Sequence, residues 1–150
     1  MFGTLHPALV LLATAAAVGL TRGRGRQAVL VAGTVIGLAL ALQVSPGDTW
    51  GYTLGGLRLE LLRVDPLSRL FGFIFGLITA IGIVYALHVR RGTEHAATLV
   101  YAAGSLGVVY AGDWLTAFAF WEVMGIASLV VIWHGGTPRT EAAGFRYLFV

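Results

Sequence analysis

Glu122 stands near the middle of Trp114–His134, "WLTAFAFWEVMGIASLVVIWH", a stretch otherwise apolar enough to cross a lipid bilayer. An acid at mid-span costs on the order of 3 kcal/mol on insertion scales, so such a residue is expected to face a bundle interior or a hydrated cavity. Desolvation raises the pKa of a carboxyl there, and a nearby cation lowers it. Between those two effects the group can take up and release protons, which is the chemistry of a proton relay. Ala119, Gly125 and Ile126 share its helical face, and the small residues among them leave room for water or another helix. The plainer role is a neutral or paired glutamate that ties helices together.

Three further residues are candidates for a proton path. Asp113 opens the same span and could feed protons toward Glu122, although its place in the sequence puts it about half a turn away around the helix axis. An interfacial helix cap is its other role. His134 closes the span with a side chain that titrates near neutrality and could exchange protons with water, or simply sit at the interface. Arg146, in the next apolar run, can pair with an acid or anchor to headgroups.

Other chemistries find no support. The chain has no cysteine, which removes disulfides, thiol nucleophiles and thiolate metal sites. His6, His88 and His95 lack metal-ligand spacing, and there is no HExxH pattern. No Ser-His-Asp arrangement, paired acids, haem ligands or iron–sulfur ligands are seen. The segment "GYTLGG" lacks the spacing of a phosphate loop. The expected cofactor and metal content is therefore none.

The elements that position these residues are membrane spans. Of the 150 residues 57% are hydrophobic and 11% charged, against roughly 25% charged in soluble domains. Apolar runs at Thr4–Leu20, Ala28–Val44, Leu67–Val89, Ala96–Ala111 and Trp114–Trp133 predict five spans. A sixth begins at Ala142 and reaches only Val150, a rise of about 14 Å against a hydrocarbon core of about 30 Å. The expectation is an all-α polytopic transmembrane helix bundle, read either as a fragment of a longer protein or as a chain whose end a partner covers.

Asp65 suits the N-cap of the third span, and Pro66 its first position, so both are structural. Before them "WGYTLGGLRLELLRV" is too polar to span, and its alternation after Gly-Gly predicts a short surface hairpin. Gly33–Gly37 and Gly72–Gly76 have the GxxxG spacing that lets helices approach closely in lipid.

All ten basic residues are arginine. With the N-terminus outside, the cytoplasmic gaps hold Arg22, Arg24, Arg26, Arg90, Arg91 and Arg139, and the outer side holds Arg58, Arg63 and Arg69. That excess favours the N-terminus outside, and it explains "RGRGR" as a connector between spans instead of a nucleic-acid segment. No basic residue precedes the first apolar run, so a retained span is favoured over a cleaved signal peptide.

"VDPLSRLFGFIFGLITAIGIVYALH" and "GDWLTAFAFWEVMGIASLVVIWHGGTPRTEAAGFRYLFV" together resemble the N-terminal part of the antiporter-like membrane subunits. These subunits are shared by Mrp-type cation/proton antiporters, respiratory complex I and membrane-bound hydrogenases. The likeness is greatest to the D subunit of the Mrp type, and it runs from about Val64 to the end. The pattern "LTxFxFWExM" places the family's fifth-helix glutamate on Glu122. The first two spans match in hydrophobic pattern only.

The resemblance implies a proton path in which this glutamate couples electrostatically to lysines on later helices, within a multi-subunit complex of the cell inner membrane. The chain contains no lysine and ends inside the sixth helix, so those lysine-bearing helices are expected elsewhere. Residues 1–150 then form the N-terminal part of a domain that translocates protons or exchanges Na+ for H+. Two other readings are a non-transporting scaffold half-subunit packed through its glycines, and a membrane-arm subunit of a quinone- or NADH-linked oxidoreductase that itself holds no redox group.

Overall fold

The run from Pro7 to Leu20 forms helix α1, capped by the residue before it. His6 Nδ1 accepts from the Ala8 N–H at 3.1 Å, and Pro7 occupies the first turn, where its missing donor is harmless. The computed structural model describes residues 5–148; Thr4, where the first apolar run begins, and Val150, at the end of the sixth, lie outside the described residues. Helix α2 spans Gly23–Gln43, and strands β1 (Thr49–Leu54) and β2 (Leu57–Arg63) follow. Helix α3 covers Pro66–Tyr85 and ends in a 3-10 turn at Ala86–His88. Then come α4 (Gly92–Tyr110), α5 (Trp114–Trp133) and α6 (Pro138–Leu148).

The expected start of α3 is present in full. Asp65 accepts from the Ser68 N–H at 2.7 Å and Ser68 Oγ accepts from the Asp65 N–H at 2.8 Å, a reciprocal capping box with Pro66 in the first turn. The hairpin is also where alternation placed it. β1 and β2 pair antiparallel from Thr49↔Arg63 to Leu54↔Leu57, with an irregularity at Trp50/Gly51. Gly55 and Gly56 turn the chain at φ +56° and +85°, and two successive positive φ values are what a tight hairpin turn asks of glycine.

Helix α6 starts earlier than expected, at Pro138 instead of Ala142. Thr137 Oγ1 accepts from the Thr140 N–H at 3.2 Å, so a threonine cap and a proline open the helix. An apolar-run reading passes over this polar first turn.

Packing centres on α4, which lies against α1, α3 and α5; α2 covers α1 and α3, and α6 leans on α5. The expected glycine contacts are made. A Cβ on Gly33 would run into Thr14, and one on Gly37 would reach Leu11 Cδ2 at 3.0 Å, so α1 and α2 touch through these positions. Gly72 similarly receives Tyr110 of α4, and Gly76 faces Leu38 and Ala41 of α2. Gly104 and Gly107, which the GxxxG pattern does not flag, admit Met124 and Phe120 of α5 to the backbone of α4.

The two ends of the bundle differ in charge. At one end His6 Nε2 donates to the Leu61 carbonyl at 3.1 Å, and the Gly112 N–H donates to the Glu60 carbonyl at 2.8 Å, docking the hairpin on the helices. At the other end Arg26 Nη1 donates to the Arg90 carbonyl at 2.7 Å and Arg91 Nη1 to the His134 carbonyl at 3.2 Å. The arginine-rich connectors therefore meet at one end of the bundle.

Three helical stretches are long and apolar enough to cross a membrane among the described residues: Gly23–Gln43, Pro66–His88 and Trp114–Trp133. Helix α1 is apolar but shorter, and α4 opens with Glu94 and His95 and is rich in small residues. The chain is an all-α membrane helix bundle with one small hairpin. Much of its outer surface is apolar, including Leu67, Ile78, Ile81, Phe118 and Ile126. A surface of that kind belongs against lipid or other subunits.

Candidate functional site

Helix α5 carries the candidate site. It begins at Asp113, whose carboxylate accepts from the Thr116 N–H at 2.9 Å, the Thr116 hydroxyl at 2.6 Å and the Glu60 N–H at 2.7 Å. These bonds, above all those from Thr116, hold the Asp113 carboxyl down at a pKa of about 2. A carboxylate so engaged is a cap that ties α5 to β2. Of its two expected roles, the geometry realises the cap.

Glu122 lies about midway along α5, about 12 Å beyond its start. α4 takes the face of α5 that bears Phe120 and Met124. Glu122 is two residues from both Phe120 and Met124, which at about 100° per residue turns it to nearly the opposite side of the helix. It is exposed, as are Phe118 at 60%, Trp121 at 59% and Ile126 at 58%. Within the described residues the expectation that Glu122 faces the bundle interior is therefore not met. The interior side of α5 is filled by α4, and the acid stands on the side that this chain leaves open.

That side is not empty along its whole length. Gly144 of α6 packs on Leu129 and Trp133, and Leu129 lies seven residues from Glu122, almost directly above it on the same stripe. A Cβ added to Gly125 meets nothing within 4 Å, so the step between them is open.

His134 caps the far end of α5. Its Nδ1 lies 2.7 Å from the Val130 carbonyl and so carries the proton, leaving Nε2 to accept from the Thr93 hydroxyl at 2.7 Å. Arg146 is exposed on α6 and makes no ion pair among the described residues. The helix thus spaces Asp113, Glu122 and His134 along its length on different faces and without direct contact, and Arg146 pairs with none of them.

Sequence reasoning missed His6. It is 2% exposed, bonded at both ring nitrogens, and packed between Tyr110 and Phe120 with ring centroids at 5.7 and 5.9 Å. Because Nδ1 accepts and Nε2 donates, the ring is the neutral tautomer that joins α1 to the hairpin. The dipeptide His6-Pro7 ahead of an apolar run was the available signal.

No family model matches the chain. It is 31% identical over 134 residues to NADH-quinone oxidoreductase subunit N of Desulforudis audaxviator (strain MP104C), covering 82% of this chain and 26% of that protein. It is 33% identical over 92 residues to a probable K(+)/H(+) antiporter subunit of Rhizobium meliloti (strain 1021), covering 55% of this chain and 9% of that one. Among solved structures it matches a chain of the membrane-bound sulfane sulfur reductase, an archaeal respiratory membrane complex. There the TM-score is 0.74 at 27% identity, over 85% of this chain and 22% of that one.

The chain belongs to the antiporter-like membrane subunits of the complex I family. It spans about a quarter of the length of the NADH-quinone oxidoreductase subunit it matches. These three relatives are parts of membrane complexes or antiporters, and the apolar helices of an antiporter-like chain suit that setting.

Proposed function

We propose that this antiporter-like subunit takes part in moving protons across a membrane, with Glu122 as the site that takes up and releases them. The observation that carries the reading is the position of Glu122: a lone acid halfway along an apolar helix, on the stripe that α6 begins to cover. Residues 1–150 then correspond to the N-terminal part of the larger domain, with α1 and α4 completing five spans and α6 beginning a sixth. The cation that sets the affinity of Glu122 for its proton comes from helices outside these residues, lysine-bearing by the family resemblance. The arginine-rich end faces the cytoplasm, which puts the N-terminus outside a plasma membrane. Asp113 and His134 stand at the two mouths of α5, and Arg146 near the headgroups.

The relatives are named as subunits of an NADH-quinone oxidoreductase and of a probable K(+)/H(+) antiporter, which supports ion movement coupled either to redox chemistry or to a second cation. The test is Glu122→Gln in the assembled complex, in sealed inverted vesicles with a pH-sensitive dye. Proton movement is expected to be lost while the complex assembles in normal amount. Wild-type proton movement by the variant would refute the reading and favour a scaffold that merely packs its neighbours.

A further inference from the structure

The arginine-rich end holds a cavity of about 610 Å³ between α2 and the connection from α3 to α4. Its polar wall is formed by Arg24, Arg26, His88, Arg90 and His95, and no acid lines it. Leu30, Leu87 and Val89 make the apolar part. We propose that this cavity binds the phosphate headgroup of an anionic phospholipid.

The wall is built and held in place. Arg26 donates through Nε and Nη2 to the Thr21 carbonyl at 3.1 and 2.9 Å and through Nη1 to the Arg90 carbonyl at 2.7 Å. Gln27 Nε2 donates to the Leu87 carbonyl at 3.2 Å. His95 is 3% exposed and its Nε2 donates to the Val89 carbonyl at 3.0 Å, which fixes the loop that presents Arg90. With Arg26 spent on this strut, Arg24 and Arg90 remain. Both are exposed, and their side chains make no hydrogen bond or ion pair among the described residues. The acid closest in sequence, Glu94, is committed to Arg91 at 3.4 Å.

The start of α2 adds donors to the same space. Gly23 takes φ +58°, and no side chain caps the first turn, so the N–H groups there are open to an acceptor. Charge alone would accept any anion; the surroundings select a lipid. The cavity has an apolar floor, and beside it Ile81, Val84 and Tyr85 of α3 are 60%, 55% and 81% exposed. Tyrosine at the end of an apolar span marks headgroup depth, and the aliphatic face beneath it suits acyl chains. Basic pockets between spans are a recurrent means of holding acidic headgroups.

The full chain, solubilised from a bilayer of equal phosphatidylglycerol and phosphatidylcholine, is weighed with its bound lipid by native mass spectrometry. One phosphatidylglycerol is expected to remain on the wild type in preference to phosphatidylcholine, and the preference is expected to fall as salt is raised. Arg24→Gln with Arg90→Gln is expected to weaken retention about fivefold for each arginine, on the order of 25-fold together. Arg139→Gln, at the same end but outside the cavity, is expected to stay within about twofold, a difference near the thermal energy. Equal retention of the two lipids by the wild type would overturn the proposal. So would wild-type retention by the double variant, or displacement of the lipid by millimolar inorganic phosphate, which would indicate a soluble-anion site.

Discussion

Gly72 and Tyr110 make a pair whose energetics can be worked from the structure. Tyr110 is fully buried at the end of α4, and its hydroxyl has no hydrogen-bond partner among the described residues. The ring rests against Gly72 so closely that a Cβ there would collide with the hydroxyl and Cζ and stand 3.1 Å from Cε2. In a free helix Gly→Ala gains about 1 kcal/mol. Here overpacking of about 1–3 kcal/mol opposes it, and α3 cannot withdraw because Gly76, one turn on, is already against Leu38. Gly72→Ala is therefore expected to destabilise by up to about 2 kcal/mol in net.

Tyr110→Phe should behave differently from most core truncations. A buried hydroxyl without a partner costs about 1–3 kcal/mol, so removing it is expected to be neutral or stabilising. In the double variant the alanine no longer meets the oxygen but still meets Cζ, so rescue is partial, with a coupling of about 1 kcal/mol. The assay is a double-mutant cycle in detergent micelles, unfolded with a denaturing surfactant and followed by helical circular dichroism. Additive effects would refute the contact. A loss above about 1 kcal/mol from Tyr110→Phe alone would show that the hydroxyl is bonded after all.

The remaining predictions concern the hairpin end of the bundle. Asp113 has its pKa depressed to about 2 from the ordinary 3.8, so its stabilising effect is complete above about 4 and is lost as pH falls toward 2. Asp113→Asn should flatten that acid limb, and unfolding midpoints measured across the same range would check it; an unchanged pH profile would contradict the cap. His6→Ala should free the Leu61 carbonyl and speed amide exchange in β2 by about fivefold, the equivalent of one hydrogen bond, while exchange in α5 below its first turn stays as it was. Uniform acceleration along the chain would mean that His6 supports the whole bundle and not the hairpin.

What was legible in the sequence rests on local chemistry. Asp65-Pro66 reads as a helix start because a cap and a proline act within one turn, and Gly55-Gly56 reads as a hairpin because its backbone demands glycine. Gly33, Gly37, Gly72 and Gly76 announce close packing for a similar reason. Which face of α5 is buried was not legible. The helix is apolar on every side, so no period distinguishes the face toward α4 from the face that carries Glu122. The central place of α4 was hidden as well: a helix surrounded by other helices can be built from Ala, Gly and Ser, and is the less hydrophobic for it. His6 escaped because a histidine at the edge of an apolar run shows neither of its partners, and one of them lies 55 residues away.

The outward face of Glu122 narrows the possibilities for its environment. If that stripe of α5 met lipid, the carboxylate would carry an insertion cost on the order of 3 kcal/mol with nothing in view to offset it. Phe118, Trp121 and Ile126 around it show that the exposed face is large and apolar, the kind that another helix covers well. α6 already covers Leu129 on this stripe through Gly144, and the next two turns of α5 toward its start bring Gly125 and then Glu122. A covering helix that follows the same line reaches the acid directly, and a cation on that helix would determine whether the carboxyl is charged. By this argument Glu122→Gln should leave the isolated chain folded as before and change only what the assembled complex does.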